Sequence, residues 1–176
     1  MEAAHVARYL PALLAGLVLG AAAAPACAID PPVSQGFLQY GKERYELRYA
    51  QAVRSPDNPK RVWVLLTNAE ITVKDAADPA RALKLATSGK LRGVRLSVDS
   101  AAPNPNHLQG ALLLSKEEAP TGEIVFAAGA SKYWEQLTLG NNRVVGKVRH
   151  GMDATASGSP AWTLDASFSA PIFNAR

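Results

Sequence analysis

The sequence predicts a mainly β protein: an antiparallel β-sandwich or a partly open β-barrel carrying one short helix. Three observations predict it. From Tyr45 onward apolar residues recur mainly at every second position, the period of a strand with one buried face. Gly, Pro, Asn and Asp clusters interrupt these runs at short intervals. A single segment near residue 80 carries helix start and stop signals.

The chain opens on a different pattern. A short lead containing Arg8 precedes a stretch over 9–24 with no side chain charged at neutral pH, and Ala26-Cys27-Ala28 then offers the small residues a signal peptidase needs. The expectation is a signal peptide over 1–28 and a single exported domain over 29–176. A retained anchor would need about 20 mostly apolar residues and would have to tolerate Pro11 near its entrance. A lipid on Cys27 would require a bulky aliphatic residue three positions upstream, where Ala24 stands. Cleavage would remove the lone cysteine, and with it disulfides, thiol catalysis and Cys-ligated zinc. A domain of the remaining length can bury enough surface to fold without such staples. No transmembrane segment is expected once the leader is gone.

Along the exported part, Tyr45, Leu47 and Tyr49 are expected on one face of a strand, with Arg44, Glu46 and Arg48 on the other. Ser55-Pro56-Asp57-Asn58-Pro59 closes it, because proline fixes its backbone dihedral and Asp and Asn tolerate turns. The run 62–66 is apolar on both faces and suits a central strand covered on both sides. Asp78 can cap a helix that starts with Pro79, ends near Gly89 and carries an Ala82, Leu85 and Ala86 stripe. Such a short helix is expected over an open edge or a barrel mouth. Further strands are expected at 94–98, 108–114, 124–127, 133–139, 144–148 and 162–168. Gly140-Asn141-Asn142 can supply the positive dihedrals of a tight hairpin, and 151–160 reads as a loop.

The exported part holds two of the three histidines, His107 and His150. His150-Gly151-Met152-Asp153 is the nearest approach to an acid–base pair, and a serine such as Ser131 would complete a hydrolytic set. The solvated reading of His150 and Asp153 stands beside it. Glu117-Glu118 reads as solvated charge in a loop rather than a glycosidase couple. No Gly-x-Ser-x-Gly elbow, His-Glu-x-x-His helix or phosphate-binding loop occurs. No metal site and no cofactor are expected.

Arg143, Lys147 and Arg149 fall on one face of a strand, a stripe able to meet phosphate or carboxylate, and Arg44, Arg48, Arg92 and Arg95 are candidates to extend it. Sheet faces are also charged simply to block edge pairing. Trp134 follows Tyr133 on the opposite side of a strand, so at least one of the two rings is expected to be accessible to a ligand; for Trp134, packing in the core or at an edge stands ahead of ligand contact, and Trp63 and Trp162 are expected to fill the core. The net charge of +4 is too modest to point to nucleic acid.

The run Tyr45-x-Leu47, Ala50-x-Ala52-x-Arg54, a proline turn and Val64-Leu65-Leu66-Thr67, with the ending Leu164-Asp165-Ala166-Ser167-Phe168-Ser169-Ala170-Pro171, resembles a group of uncharacterised exported bacterial β proteins. The resemblance spans most of the exported part, its middle third in strand pattern alone. It implies a bacterial envelope setting and a β fold, and it brings no catalytic or binding residues. The expectation is a non-enzymatic periplasmic or secreted module that binds an envelope protein or an anionic envelope component. The alternatives are a barrel carrying a small apolar ligand and a hydrolase using His150.

Overall fold

The computed structural model describes residues 32–128, 133–153 and 160–174. The expected leader, Cys27, Ser131 and most of the loop before Pro160 lie outside the described residues. The elements follow the alternation closely. They are β1 (Val33–Tyr40), β2 (Glu43–Glu46), β3 (Tyr49–Arg54), β4 (Arg61–Thr67), α1 (Val73–Ala76), α2 (Pro79–Thr87), β5 (Gly93–Asp99), β6 (Leu108–Leu113), β7 (Glu123–Ala128), β8 (Trp134–Gly140), β9 (Arg143–Met152) and β10 (Trp162–Phe173).

All ten strands belong to one sheet that curls into an open half-barrel. Its path runs β2-β1-β10-β3-β4-β5-β6-β7, with β9 also on β10 and β8 on β9. Pairing is antiparallel except where the end of β10 meets β3 in parallel, Ile172 opposite Ala52 and Phe173 opposite Val53. The long β10 therefore joins two halves: its body lies between β1 and β9, and its end continues the sheet into β3. Among the described residues β2, β7 and β8 each pair with one neighbour.

Alternation decides which side chains fill the inside of the curl. On β4, Val62, Val64 and Leu66 point inward, with Leu38, Leu96, Leu112, Val148 and Leu164 arriving from other strands. Leu65 on the opposite face is equally buried, beneath the helices, with Val53, Leu113, Ala82 and Ala86. Strand β4 is thus apolar on both faces because both are covered. Each fully buried Leu contributes roughly 1.5–3 kcal/mol of transfer free energy.

The helix expectation is met in its caps and corrected in its placement. Asp78 accepts hydrogen bonds from the Ala80 and Arg81 amides at 3.0 and 3.3 Å, Pro79 occupies the first turn, and Gly89 takes φ +79° just past the end. Yet α2 lies on the outer face of the β3–β6 region, where Leu65 and Leu113 need cover, rather than over a mouth or an edge. The four-residue α1, capped by Thr72, completes that cover with Ala76.

Two further differences concern the first strands. The chain leaves β2 at Glu46, turns through Leu47 and Arg48, and joins a different neighbour as β3, so Tyr49 is 42 % exposed instead of sharing Leu47's buried side. Strand β1 carries no clean apolar alternation, because Gly36 interrupts it. At φ +146°, a Cβ on Gly36 would stand 2.2 Å from the Asp165 carbonyl oxygen, so β10 can approach only a glycine there.

Candidate functional site

Two surfaces and one buried network result from this arrangement. The first surface is the groove where the curl stays open. Residues Ile124, Val125, Phe126 and Ala127 of β7 form one wall, and Met152, Asp153, Pro160 and Trp162, from the ends of β9 and β10, form the other, around about 300 Å³. Four consecutive residues of a strand point alternately to its two faces, so it is the edge of β7 that fronts this groove. Val125 is 68 % exposed and Met152 45 % exposed at its rim.

Behind the groove sits an aromatic cluster built around His150. Its ring lies 4.7 Å from Tyr133, 5.1 Å from Trp162 and 5.9 Å from Phe126, the first two edge-on. Burial in this company pushes the His150 imidazole below its ordinary pKa. Asp153 is exposed, and among the described residues no hydrogen bond or ion pair joins it to His150. The structure therefore does not bring the two expected acid–base partners together. It places His150 among rings because the inward face of β9 ends there, beside Val144 and Val148.

The three cations of β9 do share an outward face. Lys147 Nζ lies 2.5 Å from Glu135, Arg149 Nη2 lies 2.7 Å from Asp165, and Arg143 Nη1 donates to Ser169 Oγ at 2.6 Å. Neighbouring strands supply the acids: Arg149 stands opposite Asp165 in the β9–β10 register, and Glu135 sits at the irregularity of β8. The stripe is thus a face of mixed charge. Arg92 and Arg95 do not extend it, since they belong to the β5 region and pair with Glu118 and Glu123.

Trp134 takes the packed alternative and not the ligand-contacting one. It is 1 % exposed, stacks edge-on against Phe168 with centroids 6.2 Å apart, and donates its indole N–H to the His107 carbonyl at 3.2 Å. Space for it exists because Gly146 has no side chain; a Cβ there would stand 2.5 Å from Phe168 and 3.0 Å from Trp134. The half-buried neighbour is Tyr133. Trp162 is buried as expected, while Trp63 keeps part of its surface open beside the helices.

The network is what sequence reading missed. Glu118 is partly buried and accepts hydrogen bonds from the Tyr45 hydroxyl, the Arg92 guanidinium, and the Ser115 amide and hydroxyl, the last two at 2.9 and 2.6 Å. Burial works to raise its pKa, but the hydrogen bonds from Ser115, Tyr45 and Arg92 outweigh it and hold the carboxyl below its usual value. Burial, the hydrogen bond and the Glu118 charge push Tyr45 up to about 12. Burial first, and then the same charge, raise Tyr40. Three of the four donors meet Oε2 and the Tyr45 hydroxyl meets Oε1, so the carboxylate is well satisfied. It pins β2, the entry to β5 and the β6–β7 connection together.

Among the described residues no group of three or more His, Cys, Asp or Glu side chains is placed to hold a metal ion. No helix among them is long and apolar enough to cross a membrane. No family model, no curated protein and no solved structure matches the chain.

Proposed function

We propose that the chain is an exported, non-enzymatic binding module that takes an extended segment of a protein partner along the edge of β7 left unpaired among the described residues. The observation that carries this reading is the groove itself. A strand edge offers unpaired backbone N–H and C=O groups that a second chain can meet by adding a strand. Here the edge is flanked on one side by exposed Val125 and on the other by Phe126, Trp162 and Met152, so an added strand finds apolar contacts on both faces. The leader-like start and the resemblance to exported β proteins support an envelope setting.

A protein partner is favoured over an anionic component bound by the β9 stripe, because Glu135 and Asp165 already meet Lys147 and Arg149. The test is a photoreactive residue placed at Val125 and, separately, at Lys147, in the full chain produced in its native host. The expected result is a discrete crosslinked partner from position 125 that disappears when Ala127 is changed to Lys, since an edge charge opposes strand addition. Crosslinks from position 147 with none from 125 would transfer the function to the stripe and overturn this reading.

A further inference from the structure

The helices cover only part of the outer face of β4 to β7. Beyond Pro79, at the start of α2, a groove of about 200 Å³ remains open over Trp63, Arg95, Ser97, Gln109 and Val125, with Arg61 at one end. We propose that this groove binds an acidic sugar residue, a hydroxylated ring carrying a carboxylate, with Arg61 and Arg95 meeting the carboxylate and Trp63 the ring. The inference does not depend on strand addition at β7, although Val125 borders both grooves.

The argument starts from Arg95. Its side chain is 19 % exposed, and its guanidinium carries five N–H donors. Among the described residues those donors make one hydrogen bond, from Nη2 to Glu123 at the outer limit of 3.5 Å, and Nη1 has no acceptor. The guanidinium carbon lies 5.7 Å from the centre of the Trp63 ring, which holds the cation beside the groove without satisfying its N–H groups. A largely buried cation so thinly paired is costly; Nη1 is itself sealed from solvent, so an oxyanion in the groove relieves that cost only by drawing the guanidinium toward it.

Other side chains narrow the ligand. Arg61 is exposed and stands opposite Asp99 in the β4–β5 register without an ion pair to it, because Asp99 accepts from the Ala101 and Ala102 amides; its planar fork can therefore take a carboxylate through two parallel hydrogen bonds. Glu123 stands near the far end, which directs the carboxylate toward Arg61. Ser97 and Gln109 face each other across the β5–β6 register and offer a hydroxyl and an amide to ring hydroxyls. Ala111 and Val125 provide an apolar floor for the ring's C–H groups. Most of the groove lies over β5 and β6, which are paired on both sides, so an extended peptide finds no free backbone there except at the β7 edge beside Val125. Inorganic phosphate would leave the floor and the Ser97–Gln109 pair unused.

The experiment titrates the full chain with galacturonate and glucuronate oligomers, with neutral glucose oligomers and with inorganic phosphate, following tryptophan emission and heat. Trp134 and Trp162 are buried, so Trp63 is the indole positioned to respond. Saturable uronate binding is expected, weakening as salt rises, with neutral oligomers and phosphate much weaker. Arg61→Gln, an exposed change that leaves the melting temperature intact, is expected to weaken uronate binding by about tenfold or more. Ser97→Ala is expected to weaken it by a smaller factor. Absence of saturable uronate binding at millimolar concentrations overturns the proposal. So does equal binding of phosphate or neutral oligomers, or a folded Arg61→Gln chain that binds as before.

Discussion

Strands β9 and β5 both present arginine or lysine on their outer faces, yet the two faces are in opposite physical situations. On β9, Lys147 and Arg149 are 47 % and 62 % exposed and each has a carboxylate within 2.7 Å. On β5, Arg95 is 19 % exposed and has one carboxylate contact at 3.5 Å. A solvated cation with a ready partner gains and loses little, because water and salt screen it. A buried one with unmet donors depends on what surrounds it. The same alternation in sequence therefore marks an indifferent face in one place and a demanding one in the other, and the difference is made by α2 and Trp63.

The largest expected effect tests the cover that creates this difference. Leu65 is fully buried beneath the helices, and Leu65→Ala is expected to cost about 2–5 kcal/mol in urea unfolding. A loss no greater than that of an exposed substitution would mean the helices do not pack on this face, and the contrast between β5 and β9 would collapse.

Next in size is the network at the entry to β5. Glu118→Gln removes the charge that Arg92 faces, and is expected to cost about 1–3 kcal/mol at neutral pH. The acid branch sharpens the test. Because the folded Glu118 carboxyl is held below its usual value, the unfolded chain binds the proton first as pH falls. Its stabilisation is present above the unfolded value and is lost as pH falls through the depressed folded one. Wild-type stability should thus decline more steeply in acid than that of Glu118→Gln, and parallel curves would remove Glu118 from the account. At the alkaline end Tyr45 keeps its proton in the folded chain up to about 12, so its contribution fades between the ordinary tyrosine value and that point. Tyr45→Phe should flatten this branch.

A smaller effect is expected at His150. Burial lowers its pKa, so the unfolded imidazole protonates before the folded one, and stability falls as pH drops below the ordinary histidine value. His150→Leu should reduce that slope in pH-dependent melting, and an unchanged slope would show that the ring cluster does not disfavour the charged form. The smallest effect belongs to β9: Lys147→Ser should alter urea stability by no more than about 0.5 kcal/mol. A larger loss would mean that this face is as demanding as that of β5.

Much of the fold is legible in the residues because its signals are local. Both apolar faces of β4, the Asp78 and Pro79 start of α2, and the hairpin at Asn141 and Asn142, which take φ of 50° and 54°, are each written within a few neighbouring positions. What is not legible depends on distant partners. Gly36 hides β1 because its reason is a β10 carbonyl, and the turn at Leu47 and Arg48 reflects a change of neighbour rather than of composition. Glu118 reads as a loop carboxylate beside Glu117, and only the fold brings Tyr45 and Arg92 to it. For Trp134 the sequence leaves packing and ligand contact both open, because nothing near it announces that Gly146 will make room.

The position of β10 also governs when the molecule can form. The innermost pairing of one half joins the beginning of the described chain to its end, with Gln35 and Ser167 in contact 132 residues apart. Among the described strands, β9 has no paired neighbour besides β8 until β10 arrives, and β1 has none besides β2. Loop closure over such distances must precede the contacts that reward it, which slows folding. A chain cut before Trp162 should be left with two separate hairpins, β1–β2 and β8–β9, in place of that half.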